Sequence, residues 1–206
     1  MKVIKPYIEV LDCPEGLDIL KLIELCGRVC YKSEDKITED SAQRFVKSII
    51  KSGHESVLEH AKITVRVVCD RGISHEIVRH RLASYSQESS RYCNYNGEMI
   101  FIKPCFWDED SDEFGIWRNS MKQAESSYRF LVNELGAKPE EARDILPNSL
   151  KTEIVMSMNL REWRHFFKLR LSNRAHPQMR EVAELIFIEL HGRIPIVFDD
   201  IEIQET

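Results

Sequence analysis

The stretch from Arg79 to Tyr92 reads Arg-His-Arg-Leu-Ala-Ser-Tyr-Ser-Gln-Glu-Ser-Ser-Arg-Tyr and holds three arginines, a histidine, four serines and two tyrosines. Buried donors must be hydrogen-bonded, and no core helix satisfies such a density from within. The segment must therefore face a surface or line a cleft, and the rest of the chain must fold around that requirement.

Upstream, Ile73, Ile77, Val78 and Leu82 recur at helical spacing and predict a helix from about Gly72 to Ala83. Arg79, His80 and Arg81 would fall in its last turns. Basic residues there ordinarily complement the helix dipole. Three consecutive side chains point about 100° apart, however, and cannot all reach the same carbonyls. A charged ligand across the helix end uses all three. After Ala83 the apolar periodicity stops, and 84–90 reads as a loop whose hydroxyls and amides, with Arg91, can surround a phosphate.

Composition bounds the partners. At 206 residues, 43% hydrophobic and 31% charged, the chain can bury one full core, and a single domain over 1–206 is expected. No apolar run approaches the roughly 20 residues of a membrane span. Met1-Lys2-Val3-Ile4 lacks the layout of a secretion signal, so a cytoplasmic protein without a membrane partner is expected. The net charge of −5 disfavours a nucleic-acid partner. Basic residues nevertheless concentrate at 79–91 and 161–180, as local cationic clefts for small anions would require. Six dispersed cysteines contain no Cys-x-x-Cys pair and read as reduced thiols, with Cys26 and Cys30 as buried small apolar residues.

Along the chain, residues 1–11 resemble a strand interrupted by Pro6. Ile19, Leu22, Ile23, Cys26 and Val29 predict a helix over about 17–31, with Glu24 and Arg28 off its apolar stripe. A second helix starts at Thr38 or Ser41, capped by Glu39 or Asp40, and stops at Gly53. Residues 61–70 alternate and are rich in β-branched side chains, a clear strand. Residues 98–103 form a short strand, 107–115 an acidic turn, and 116–135 a long helix stopped by Gly136. Residues 138–147 make a short helix between prolines, and 152–158 a strand. Asn159 caps a helix whose buried side is Trp163, Phe166, Phe167 and Leu169, and a last long helix opens at His176 and runs to about His191. Strands and helices do not alternate strictly.

His54 and His60 lie six apart, about 240° around a helix, so Gly-His-Glu-Ser at 53–56 is no zincin site, and no metal is expected. Ser89 has neither an adjacent base nor a nucleophile elbow, so it is not read as a covalent nucleophile.

Arg79-His80-Arg81, then seven residues, then Ser89 resembles the signature of the flavin-dependent thymidylate synthases. Further matches follow in order over about 53–190: Gly-His-Glu-Ser with Glu59-His60, Ala142-Arg143 before Leu146-Pro147, Asn159-x-Arg161 with Leu169-Arg170, and the stretch from His176. Gln87 stands where some relatives have glutamate, Ser90 for glycine, Glu76 for glutamine and Pro177 for alanine.

The resemblance implies an α+β fold, with a mixed or antiparallel sheet and packed helices, in a homotetramer with sites at subunit interfaces. It implies reductive methylation of dUMP to dTMP, with methylenetetrahydrofolate as carbon donor and FAD reduced by NADPH as hydride source. FAD would be held by His54, Ser56, Arg79, His80, Arg81, Gln87, Asn159, Leu160, Arg161 and His165. dUMP would be held by Glu76, Ile77, Val78, Arg79, Gln87, Glu88, Ser89, Ser90, Arg91, Arg143 and Arg170, with Arg170 catalytic. The competing reading of the residues is a non-catalytic nucleotide- or RNA-binding module that stacks bases on Tyr85, Tyr92 and Tyr95.

Overall fold

A computed structural model describes residues 1–93, 95 and 97–204. Strands β1 (Lys2–Ile4), β2 (Tyr7–Asp12), β3 (Lys62–Asp70), β4 (Ala83–Gln87), β5 (Ile100–Ile102) and β6 (Lys151–Asn159) are accompanied by eight α-helices among the described residues. These are α1 (Gly16–Val29), α2 (Ser41–Lys51), α3 (Arg71–Ile77), α4 (Asp112–Asn133), α5 (Pro139–Ala142), α6 (Leu160–Arg170), α7 (Pro177–Arg193) and α8 (Pro195–Phe198). β1 pairs in parallel with β5, and the other strands form one sheet in the order β2-β3-β6-β4. The fold is α+β, as expected.

The chain divides into two compact units, each assembled from three segments. One comprises 1–7, 67–79 and 86–154; the other comprises 8–66, 80–85 and 155–206. In the first, α4 lays Phe114, Trp117, Met121 and Tyr128 against Met99, Phe101 and Leu150. In the second, Trp163 stacks on Phe167, and Phe187 and Phe198 meet that ring edge-on. There α1 packs on α2 so closely that a Cβ at Gly27 would lie 2.6 Å from the Phe45 ring. Only glycine permits that approach.

Several elements differ from the sequence reading. α3 stops at Ile77, six residues early, so Arg79, His80 and Arg81 lie beyond it. Val78 and Leu82, expected on its buried side, are 38% and 73% exposed. Residues 83–87 are not loop but β4, a strand fixed by backbone pairing beside β6. On α1 the buried face is Ile19, Leu20, Ile23, Glu24 and Gly27 rather than Leu22 and Val29. Glu24 tolerates burial because Arg28 Nη2 donates to it at 2.8 Å and Ser41 Oγ at 2.7 Å. Asp40 precedes α2 without a capping hydrogen bond. α4 begins at Asp112, four residues early, because Ser111 Oγ accepts from the Phe114 N–H. Leu169 is half exposed, Cys26 half-buried and Cys30 exposed. The described cysteines are all free thiols. No helix among the described residues is long and apolar enough to cross a membrane.

Candidate functional site

β6 delivers the chain into α6, and Asn159 ends the strand by accepting the Glu162 N–H at 2.9 Å on its side-chain oxygen. The cap commits that oxygen, so Asn159 offers a ligand its amide N–H groups. Past the cap, Trp163, Phe166 and Phe167 turn into the core and leave Arg161, His165 and Lys168 on the opposite side. With Asn159, Glu162, Leu82 and the carboxylates Glu55 and Glu59, they line a cleft of about 490 Å³.

Glu55 and Glu59 in this cleft are matched by basic side chains. Arg161 Nη1 donates to Glu59 at 2.6 Å. Glu55 lies 3.0 Å from Arg164 and 3.6 Å from Lys168. Arg164 is almost fully buried and also clasps Asp200 through both terminal nitrogens, at 2.6 and 2.7 Å. Its charge holds Asp200 below the usual carboxylate range, chiefly through those hydrogen bonds. Arg161, Lys168, His165 and the Asn159 amide are the donors of this cleft, and an anion could reach the first two only by displacing Glu59 from Arg161 and Glu55 from Lys168.

Next to the cleft, His80 is 5% exposed. Its Nε2 accepts from Arg170 Nε at 3.0 Å, and its Nδ1 lies 3.4 Å from Glu162 Oε1. Phe166 contacts the ring edge-on at 4.8 Å, and the Tyr85 hydroxyl donates to the His80 carbonyl at 2.7 Å. Burial, then the charge of Arg170, then His165 push the imidazole down to about 4. Burial raises Glu162. His80, Glu162 and His165 bring ligand atoms within 4.8 Å of one another. That set could hold a metal in principle, but Arg170 already occupies Nε2 and its charge opposes a second cation.

The other unit carries a cleft of about 290 Å³ lined by Arg71, Ser90, Arg143, Asp144 and Leu146. Ser90 is buried and Arg143 exposed. Arg71 Nη1 is buried and has no hydrogen-bond partner among the described residues, a cost of roughly 1–3 kcal/mol that an anion would relieve. Nearby, Gln87 donates to Ser74 at 2.8 Å and Thr152 at 3.3 Å. Glu88 is held by Lys151 at 2.9 Å and by the Tyr95 hydroxyl at 2.9 Å. Arg91 pairs with Glu140 at 3.1 Å.

The expected residues thus sort by unit. His80, Asn159, Leu160, Arg161, His165 and Arg170 gather around α6; Glu76, Gln87, Glu88, Ser89, Ser90, Arg91 and Arg143 belong to the other unit. Two expected contacts change character. Ile77 and Leu160 are 0% exposed, so their side chains pack the core, and Leu160 N–H is spent on the Ala61 carbonyl. Val78, Arg79 and Arg81 are exposed. His54 and Ser56 are exposed beside Glu55 without lining the cleft, whose wall there is Glu55 and Glu59. Tyr85 and Tyr95 are engaged through their hydroxyls, and Tyr92, 77% exposed, carries the Arg91 guanidinium 5.3 Å above its ring. Sequence reasoning missed Glu162 and Arg71. Glu162 follows the Asn159 cap by three residues and reads locally as part of a capping pattern; Arg71 carries no local signal.

An α+β chain with two clefts, each lined by basic side chains beside a hydroxyl or amide donor, has the character of a small-molecule-binding protein. Comparison with known proteins narrows the class. The family described as "Thymidylate synthase complementing protein" matches residues 16–196. The flavin-dependent thymidylate synthase of Pyrococcus furiosus is 39% identical over 176 residues, 84% of this chain and 72% of that one. That of Geobacter sulfurreducens is 35% identical over 186 residues, 86% and 80% of the two chains. In fold, the chain resembles the UMP/dUMP methylase PolB from Streptomyces cacaoi bound with 5-Br dUMP, with a TM-score of 0.79 over 97% of this chain and 96% of that one at 23% identity. The chain belongs to the flavin-dependent thymidylate synthase family.

Proposed function

We propose that the protein catalyses the reductive methylation of dUMP to dTMP in the cytoplasm, with methylenetetrahydrofolate as carbon donor and NADPH as reductant. When bound, FAD supplies the hydride. The observation that carries this reading is the sorting of cationic side chains into two clefts of different character, beside the family membership. Arg161, Lys168, His165 and the Asn159 amide would hold the FAD diphosphate. Ser89, Ser90, Arg91 and Arg143, joined by Arg71, would hold the dUMP phosphate and sugar.

Arg170 would lie along the uracil edge. A planar guanidinium there stabilises negative charge on the ring and makes the carbon to be methylated more nucleophilic. No side chain need act as a covalent nucleophile. Leu22, Leu25 and Val29, 42%, 51% and 49% exposed, form one apolar stripe of α1 and support self-association, and a homotetramer with sites at subunit interfaces is the assembly proposed for it. The test is the purified protein: flavin absorbance bands, and dTMP formed from dUMP, methylenetetrahydrofolate and NADPH. A colourless preparation that gains no activity with added FAD would overturn the reading.

A further inference from the structure

The Arg170–His80–Glu162 contacts have a direction that hydrogen bonding alone determines. An arginine N–H always donates, because the guanidinium does not lose its proton in proteins. His80 Nε2, 3.0 Å from Arg170 Nε, must therefore be a bare acceptor. The neutral ring's one proton then sits on Nδ1, where it faces Glu162 Oε1 at 3.4 Å. The order is guanidinium to imidazole to carboxylate. The low affinity of His80 for a second proton agrees with this tautomer.

Glu162 and Arg170 stand on one helix eight residues apart, about 12 Å along its axis. Long side chains on a helix lean back toward its N-terminus, so Arg170 leans toward Glu162 and the imidazole bridges the remaining gap. An acid in the first turn of α6 also complements the helix dipole. An exposed side chain would serve the dipole equally well, whereas the Glu162 side chain is 8% exposed and turned to His80. Burying a carboxylate costs free energy that only pairing or hydrogen bonding offsets, and burial raises Glu162.

We propose that Glu162 is a positioning residue of the reaction. Acting through His80, it fixes the imidazole tautomer and sharpens Nε2 as an acceptor, and so holds the Arg170 guanidinium in the plane that meets the pyrimidine. Carboxylates behind metal-bound histidines do the same to a ligand; here the oriented group is a guanidinium. The inference rests on the proposed role of Arg170.

Two measurements test it. In ¹⁵N-histidine-labelled protein, the His80 ring should show a protonated Nδ1 and a bare Nε2 near neutral pH; the opposite tautomer overturns the proposal. This arm needs neither cofactor nor activity, so it stands even where dTMP synthesis itself is not found. In the loaded enzyme, Glu162→Gln keeps the shape and an acceptor but removes the charge. Its kcat at saturating FAD should fall about ten-fold, and that of Glu162→Leu nearer a hundred-fold, with dUMP KM and melting temperature nearly unchanged. In an Arg170→Ala background, Glu162→Gln should add no further loss. Unchanged kcat in Glu162→Leu, a loss explained by missing flavin or lower melting temperature, or fully additive losses would each overturn the positioning role.

Discussion

Arg161 and Glu59, 102 residues apart in sequence, meet at 2.6 Å on the exposed rim of the α6 cleft. The pair must open for Arg161 to take a phosphate. Glu59→Ala frees the guanidinium and removes a like charge from the ligand's path, so FAD affinity should tighten roughly two- to five-fold, the range of exposed ion pairs. Titration of flavin fluorescence checks it. The gain should shrink as ionic strength rises toward 0.5 M, since screening already reaches about 8 Å at physiological salt.

Arg170→Ala removes the group proposed to stabilise charge on the uracil ring. Turnover should fall by about 10²–10³-fold, with FAD still bound and the yellow colour kept. Loss of flavin together with activity would place Arg170 on the cofactor instead.

Arg71→Gln and Arg143→Gln should each raise KM for dUMP. A hydrogen bond to a charged group contributes roughly 1.5–3 kcal/mol, which corresponds to about a ten- to hundred-fold change. Inhibition by deoxyuridine, which carries no phosphate, should be nearly unaffected. Equal losses for both ligands would show that these arginines act on the fold rather than on the phosphate.

Asp200 is held low by Arg164. A carboxyl group whose folded pKa lies below its unfolded value adds stability above the unfolded value, and that stability disappears as pH falls through the folded one. Asp200→Asn should therefore lower the melting temperature at pH 7, by an amount equivalent to about 1–2 kcal/mol once the half-exposed position of Asp200 is discounted. The difference should begin to shrink as pH falls below about 4, where an ordinary aspartate titrates, and close only once pH has passed below the lowered value of Asp200. Thermal melts in steps from pH 7 down to the acid limit of folding decide it, and a difference that stays constant below about pH 4 would overturn it.

What sequence could reveal follows from which interactions are local. β3, β6 and α6 declare themselves because alternation or a 3.6-residue period coincides with one buried face. α3 was overextended because Val78 and Leu82 keep helical spacing while pointing outward. β4 was hidden because Ser84 and Ser86 give no apolar alternation; its strand character comes from backbone pairing beside β6. Glu24 looked like a surface residue because the Ser41 hydroxyl that makes its burial tolerable lies on the next helix. Composition alone made it legible that the arginine-rich segment must reach a surface, and Arg79, Arg81 and Arg91 are exposed. Glu162 was not legible, because its partner His80 is 82 residues away.

The buried Arg164 answers to Glu55 and Asp200, carboxylates 145 residues apart in the sequence. Neither acid can be exchanged for a neutral residue without leaving the guanidinium short of charge, and the guanidinium cannot go without stranding both. Across relatives, the three positions should mutate as a set, with compensated replacements tolerated and single ones rare.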